Sequence, residues 1–297
     1  MLLSLFPDQL KLITLQDAVV QIKQMIEQAI RYGDKDKFGK PINGCEAKNN
    51  IIRTQIPINL LHDAVKTAFI QEGVNPNLIL PPLGQHQGEL RIYGYIKAKD
   101  QDVCFMPNNV RPNPEILTFD GILKGERDPL GFDYTERVLS VNVRSQLSSV
   151  AKNFDTLYER TFAEPLNLHL RCPKMVLGEV YMIPVYEYDD AAAQQNRIDF
   201  KPNPRVQKHI AKYINSFNAV NLRPSIDGNE MRYERACLII VDFSRDVPYI
   251  YNTNEELIND GLLPFDTDSN IETLSFPTFA STLLTIYSQR FGEGRFI

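Results

Sequence analysis

The chain has 297 residues, of which 43% are hydrophobic and 23% charged, so it is long enough to bury a sizeable core. Its formal net charge of -5 argues against general electrostatic attraction to nucleic acid, although a local basic groove is compatible with that value. No apolar run approaches the roughly 20 residues that span a bilayer, and the first residues lack the basic and small-residue regions of a secretory signal. We therefore expect a globular cytoplasmic protein without a membrane partner.

Apolar periodicity and the positions of Gly and Pro predict alternating helices and strands. In chain order we expect a helix over 15–32, a loop over 33–50, a helix over 57–72, strands over 90–96, 103–106, 116–119 and 138–146, a helix over 150–164, a strand over 175–185, a helix over 204–220 and a strand over 236–243. Pro165 is expected to kink or end the helix over 150–164. We expect one α/β domain over 1–297, with a helical N-terminal elaboration over 1–80, a core over 89–185 and a C-terminal extension over 186–297.

Motifs of several common enzyme classes are missing from the sequence. The cysteines are widely spaced, form no CxxC pair and indicate neither a zinc site nor a disulfide framework; they are Cys45, Cys104, Cys172 and Cys237. A Walker loop, a nucleophile elbow and a dinucleotide fingerprint do not occur, so no nucleotide cofactor is expected.

The most informative segment is 138–164, VLSVNVRSQLSSVAKNFDTLYERTFAE. Side chains in a strand alternate between two faces, so the predicted strand carries one polar face, formed by Ser140, Asn142, Arg144 and Gln146. The helix that follows places Asp155 and Glu159 one turn apart. Glu159 and Arg144 are expected to converge on a common site that binds phosphate or metal.

This order of elements resembles the PD-(D/E)xK nuclease core of type II restriction endonucleases. In that family, an Asp at the start of one strand and an acidic-x-Lys triplet on the next bind magnesium and position the attacking water. Asp102, which directly precedes an apolar strand, matches the Asp, and Asn142, Val143 and Arg144 occupy the triplet. The more specific part of the resemblance is the series that follows the triplet, namely Ser145, Gln146, Ser148, Ser149, Asn153, Phe154 and Glu159.

The resemblance, which covers about 89–185, implies a restriction-endonuclease-like mixed central sheet flanked by helices. It implies a homodimer that hydrolyses double-stranded DNA at a specific sequence with Mg²⁺. Asp102 and Glu159 would hold the metal, Arg144 would contact the phosphate, and Gln146 would orient water or a neighbouring phosphate. Asp120 is the rival for the role of Asp102, although an Asp-Gly pair is ordinarily a turn.

The triplet departs from the family pattern, and three interpretations stay open. Asn142 is a weaker magnesium ligand than a carboxylate, and Arg144 cannot exchange a proton near neutral pH. In the first interpretation, Glu159 supplies the missing carboxylate and the site hydrolyses DNA. In the second, hydrolysis is lost and DNA binding remains. In the third, the protein is a scaffold in which Arg144 pairs with a carboxylate in an internal ion-pair network.

Two basic segments are candidates for DNA contact. The helix over 204–220 has an apolar stripe and an opposite basic side, and the basic residues on or before it are Arg197, Lys201, Arg205, Lys208 and Lys212. A second basic set lies in and just after the loop over 33–50, at Lys35, Lys37, Lys40, Lys48 and Arg53. Either set is suited to phosphate contacts, which fix the register of a protein on DNA. Glu89 is a further candidate, as an auxiliary metal or water ligand.

Overall fold

The computed structural model describes residues 12–292 and 296. Its helices are α1 (Leu15–Tyr32), α2 (Gly44–Arg53), α3 (Ile56–Gln71), α4 (Phe132–Thr135), α5 (Phe154–His169), α6 (Asp190–Gln194), α7 (Val206–Ala219), α8 (Asn254–Asn259) and α9 (Phe279–Phe291). Its strands are β1 (Asp34–Lys35), β2 (Pro41–Ile42), β3 (Ile79–Leu80), β4 (Leu90–Tyr93), β5 (Ala98–Gln101), β6 (Val103–Phe105), β7 (Glu115–Ile116), β8 (Arg127–Asp128), β9 (Leu139–Ser145), β10 (Val176–Pro184), β11 (Arg235–Asp242) and β12 (Tyr249–Tyr251).

A six-stranded mixed sheet in the order β12-β11-β10-β9-β6-β3 forms the centre of the fold. Strands β9, β10 and β11 are parallel, whereas β6 and β12 run antiparallel to their neighbours β9 and β11. In the β9–β10 register, Asn142 lies beside Glu179. Parallel strands covered on both faces consist largely of apolar residues, which explains why β10 and β11 read as nearly continuous hydrophobic runs.

Helices cover both faces of this sheet. Alternate residues of β10 belong to different hydrophobic clusters, with Val180 and Met182 in one and Tyr181 and Ile183 in another. The first cluster includes residues of α1, α3 and α9, and the second includes residues of α7 and α8. The mixed α/β architecture with a central sheet flanked by helices therefore agrees with the sequence prediction.

Several boundaries predicted from the sequence are confirmed, and others are wrong. Helix α1 spans the predicted 15–32, and β10 and α7 fall inside their predicted ranges. The predicted loop 33–50 instead contains the β1–β2 hairpin and most of α2. The predicted strand 116–119 is reduced to the end of β7, which pairs with β8 outside the central sheet.

Helix α5 continues through Pro165 to His169, so the expected end at that residue is wrong. A proline inside a helix removes one backbone hydrogen bond. Residues beyond it, including Leu168, are buried against Val138 and Met175, and this packing favours continuation of the helix.

None of the helices in the described range 12–292 combines the length and the hydrophobicity needed to cross a membrane.

Candidate functional site

Polar side chains from three strands, from one helix and from the residue before β6 meet at β9. We call this group the charged cluster, and its members are Lys99, Asp102, Asn142, Arg144, Glu164 and Glu179. The polar face predicted for β9 supplies Asn142 and Arg144. The other members come from β5, from the residue before β6, from α5 and from β10.

Asp102 lies against the middle of the predicted triplet. Its carboxylate accepts a hydrogen bond from the backbone N–H of Val143 at 2.8 Å. Burial raises the pKa of Asp102 above its usual value, and this effect outweighs the Val143 hydrogen bond and the charges of Lys99 and Arg144, which act in the opposite direction. The structure thus brings Asp102 together with Asn142 and Arg144, because β6 and β9 are adjacent antiparallel strands.

Arg144 bridges two buried carboxylates. One of its terminal nitrogens lies 3.2 Å from Oε1 of Glu179, and the other lies 3.8 Å from Oε2 of Glu164. Burial raises the pKa of Glu179 to about 7 despite the neighbouring arginine, and the Glu164 and Asp102 charges act in the same direction as burial. Burial alone would lower the pKa of Arg144, but Glu179 and the other anionic neighbours raise it, so the guanidinium stays charged.

Lys99 reaches the cluster from β5. Its ammonium lies 2.6 Å from Oε2 of Glu164 and 3.4 Å from the amide oxygen of Asn142. The other oxygen of Glu164 accepts a hydrogen bond from the Gln101 amide, whose own oxygen accepts one from the hydroxyl of Ser140. The polar face of β9 is therefore part of a continuous hydrogen-bonded network.

The charges of this cluster are not balanced. Three carboxylates, those of Asp102, Glu164 and Glu179, lie beside two cations, those of Lys99 and Arg144. Within the described residues, no hydrogen bond of normal geometry reaches either side-chain oxygen of Glu179, although the nearby Tyr233 hydroxyl acts to lower its pKa. Burying a charge that is incompletely paired costs free energy, and strongly perturbed carboxyl groups of this kind are typical of functional sites. A carboxyl with a pKa near 7 is also suited to exchanging protons at neutral pH.

Other residues proposed from the sequence lie apart from these contacts. Glu159 is exposed on α5, whereas Glu164 on the same helix is buried and contacts Lys99. Asp120 lies in an exposed turn and pairs with Lys124 at 2.6 Å. Glu89 is exposed, and its pKa is raised by partial burial and by its proximity to Asp102 and Asp100.

Gln146 is buried at the end of β9 and holds the turn that follows. Its amide nitrogen donates to the carbonyls of Ser148 and Ser149, and its oxygen accepts from the Tyr181 hydroxyl at 2.9 Å. Both ends of the side chain are therefore engaged within the protein, in contacts that position the turn.

Lys99, Glu164 and Glu179 were not assigned to the site from the sequence. A signal for Glu179 was present, because it is the single charged residue in the apolar run predicted as a buried strand over 175–185. An ionisable residue in such a strand needs a partner, since glutamate is seldom fully buried without one. Lys99 belongs to β5, which pairs with β4.

The cluster is not a preassembled metal site. Among residues 12–292 and 296, no group of three or more His, Cys, Asp or Glu side chains is arranged to hold a metal ion. Carboxylate oxygens are the ligand type that Mg²⁺ prefers, but Arg144 bridges Glu164 and Glu179 where a cation would need their oxygens. The residues as arranged do not fit the magnesium site implied by the resemblance.

The predicted DNA-binding residues on α7 line a small cavity of about 160 Å³, together with Phe154 and Tyr213. Lys212 pairs with Asp155 at 3.0 Å and lies 3.8 Å from the centre of the Phe154 ring. The residues at the cavity are Arg205, Lys208, His209 and Lys212. Partial burial lowers the pKa of His209, and the three neighbouring cations act in the same direction.

Lys201 and Arg197, the other two predicted DNA-binding residues, precede α7. Lys201 pairs with Asp190 at 2.6 Å. Arg197 is exposed, and its backbone N–H donates to the carbonyl of Ala192.

Comparison of the chain with protein-family models, with curated proteins and with solved structures finds no match.

Proposed function

We propose that this protein is a DNA endonuclease of the type II restriction kind. It would act in the cytoplasm as a homodimer that hydrolyses phosphodiester bonds of double-stranded DNA at a specific sequence, with Mg²⁺ as cofactor. The observation that carries the proposal is the convergence of Asp102 with the triplet Asn142, Val143 and Arg144. Strands β6, β9 and β10 are neighbours in one mixed sheet, and α5 lies between β9 and β10 in the chain. This order of elements supports a restriction-endonuclease-like fold.

The cations of the charged cluster are suited to binding phosphate. Arg144 carries a planar guanidinium with several donors, and Lys99 presents an ammonium whose side chain is 30% exposed. In the proposed reaction, both groups contact the scissile phosphate and offset the negative charge that develops on it. Asn142 holds Lys99 in place through its amide oxygen.

The proposed roles of the carboxylates differ from those expected from the sequence. Glu179 is assigned the proton exchange with the attacking water, since it lies 3.2 Å from Arg144, the proposed phosphate contact, and burial raises its pKa to about 7. Glu164, rather than the exposed Glu159, supplies the acidic group from α5. Magnesium enters the proposal through the family resemblance, and its binding here requires Arg144 to leave the two carboxylates that it bridges.

The test is incubation of the purified protein with unmethylated phage and plasmid DNA in Mg²⁺, in Mn²⁺ and in EDTA. Glu179→Gln is expected to reduce cleavage by about a hundredfold or more, which is typical for loss of an acid–base group. Asp102→Asn is also expected to reduce cleavage, because it removes the carboxylate that lies against the triplet. Asp120→Asn is the matched control, because Asp120 is an exposed carboxylate that also pairs with a lysine. Cleavage that persists in the Asp102 and Glu179 variants contradicts the assigned site.

A second candidate function is supported by the contact between Arg144 and Glu179. An internal ion-pair network is what a scaffold or interaction protein would show on the polar face of β9, and the 3.2 Å distance meets that expectation. This candidate predicts neither DNA cleavage nor DNA binding. Duplex binding without cleavage in any metal would instead indicate a DNA-binding protein with an inactive site.

A further inference from the structure

Residues 31–40 form a basic, aromatic surface outside the charged cluster. We call it the hairpin arm, and its sequence is RYGDKDKFGK. Two aromatic side chains are largely in solvent there, with Tyr32 81% and Phe38 82% exposed. Among the described residues, no ion pair reaches the ammonium groups of Lys35, Lys37 or Lys40, and the Lys37 ammonium lies 5.0 Å from the centre of the Phe38 ring. Asp34 and Asp36 are the acidic residues of the arm.

Hydrogen bonds within residues 36–40 hold the tip of the arm in one conformation. The carboxylate of Asp36 accepts hydrogen bonds from the N–H groups of Phe38 and Lys40, each at 2.9 Å. Gly39 adopts a φ of +80°, a conformation that favours glycine. Because the turn is preformed, Phe38 is presented to a ligand with little further loss of conformational entropy.

The arm is joined to residues 190–201, which carry Arg197 and Lys201 of the basic set before α7. Asp190 accepts contacts from Lys48 on one oxygen at 2.5 Å and from Lys201 on the other at 2.6 Å. The Asn196 side chain donates to the carbonyl of Arg31 and accepts from the N–H of Gly44. The two basic sets, remote in sequence, therefore form adjacent parts of one surface.

This surface also connects to the segment that carries Arg144. Glu187 accepts hydrogen bonds from the N–H groups of Ser149 and Val150, each at 2.9 Å, and lies 3.9 Å from Lys201. Ser149 and Val150 belong to the turn that follows β9. Contacts of Asn196, Asp190 and Glu187 thus link the arm to the turn that follows β9.

We propose that the hairpin arm is a DNA-contacting element in which the lysines bind backbone phosphates and the Phe38 ring inserts into a groove as an apolar wedge. Lysine ammonium groups are suited to the anionic backbone of DNA, and exposed aromatic rings are suited to its stacked bases. The inference rests on the proposed function, because it takes double-stranded DNA as the ligand.

The experiment compares the full-length protein with Phe38→Ala, with a triple alanine variant of Lys35, Lys37 and Lys40, and with Phe265→Ala. Phe265 is the matched control, because it is an aromatic residue 91% exposed that is followed by Asp266 and Asp268 instead of lysines. Binding to plasmid fragments is measured in EDTA over a range of salt, and permanganate oxidation reports unstacked thymines in the bound DNA. Thermal denaturation verifies that each variant is folded.

The wild-type protein is expected to produce permanganate-reactive thymines, and Phe38→Ala to lose them with about a tenfold weaker affinity. The triple variant is expected to reduce the slope of log affinity against log salt by about 3, or about 0.9 for each lost phosphate contact. Phe265→Ala should match the wild type.

Two results would overturn the proposal, and they are distinguishable. If the wild type binds and cuts DNA while Phe38→Ala does both equally well with unchanged thymine reactivity, the wedge is wrong and the proposed endonuclease stands. If the wild-type protein binds no duplex, the hairpin arm and the endonuclease proposal both fail.

Discussion

Two of the buried glutamates, Glu234 and Glu179, lie among cations but differ in how completely they are paired. Glu234, beside β11, contacts Arg290 at 2.8 Å, Arg223 at 3.4 Å and His169 at 3.4 Å, and accepts a hydrogen bond from the N–H of Leu177. Glu179 has a single guanidinium at 3.2 Å, which it shares with Glu164. Both carboxyl groups are almost fully buried.

The pKa values express this difference. Burial acts to raise the pKa of Glu234, but His169, Arg290 and the Leu177 N–H together lower it below its usual range. Burial dominates for Glu179 and raises its pKa to about 7. A fully paired carboxylate such as Glu234 stabilises the fold, whereas an incompletely paired one such as Glu179 is retained at a cost, as is typical of sites that bind or react.

The largest expected effect comes from removing the better-paired carboxylate. Glu234→Gln should lower the free energy of unfolding by about 3–5 kcal/mol, because it leaves Arg223 and Arg290 buried with a neutral partner. Glu179→Gln should not lower it and is expected to raise it, since glutamine resembles the protonated carboxyl and removes the cost of ionising Glu179 near neutral pH, while Arg144 keeps Glu164 nearby. Urea denaturation at neutral pH measures both. Equal losses would remove the distinction between the two glutamates.

The second-largest expected effect is that Glu179 and Glu234 change the pH dependence of folding stability in opposite directions. The folded protein holds a proton on Glu179 more tightly than the unfolded chain does, so this group lowers the stability as pH rises from about 4.5 to about 7. The slope amounts to at most about 1.4 kcal/mol per pH unit. Glu234 acts with the opposite sign, because its lowered pKa favours folding above its usual range and that contribution is lost on acidification.

Denaturation at a series of pH values tests this prediction with the two glutamine variants. Between pH 4.5 and 7, the wild type should lose stability relative to Glu179→Gln. Below about pH 4.5, the wild type should lose stability relative to Glu234→Gln, because the lowered pKa of Glu234 stabilises the fold only while the carboxyl is ionised. Parallel curves for the wild type and Glu179→Gln would show that Glu179 ionises normally.

The smallest effect is expected at the exposed side of the charged cluster. Lys99→Ala should lower stability by less than about 1 kcal/mol, since the ammonium is partly solvated and ion pairs of this kind contribute little. The same change should reduce DNA cleavage much more, because the proposed phosphate contact is lost. Lys99→Arg is the control that keeps the charge. A stability loss as large as that of Glu234→Gln would indicate a structural lysine.

The polar face of β9 was accessible from the sequence through strand periodicity, and the family resemblance placed Asp102 beside the triplet. The acidic residue that α5 contributes, Glu164, could not be identified from the sequence. Which glutamate of that helix turns inward depends on where the helix begins and on its continuation past Pro165, and packing determines both. Lys99 was missed because β5 has no apolar alternation that would have marked it as a strand.

The β9–β10 register has a consequence for hydrogen exchange. These strands lie in the interior of the sheet, with a paired strand on each side, so their amide protons are expected to exchange only when the whole domain opens. The backbone that carries Asn142, Arg144 and Glu179 is thereby among the last parts of the molecule to unfold. The charges of the site are held by the strands that we expect to exchange their amide protons most slowly.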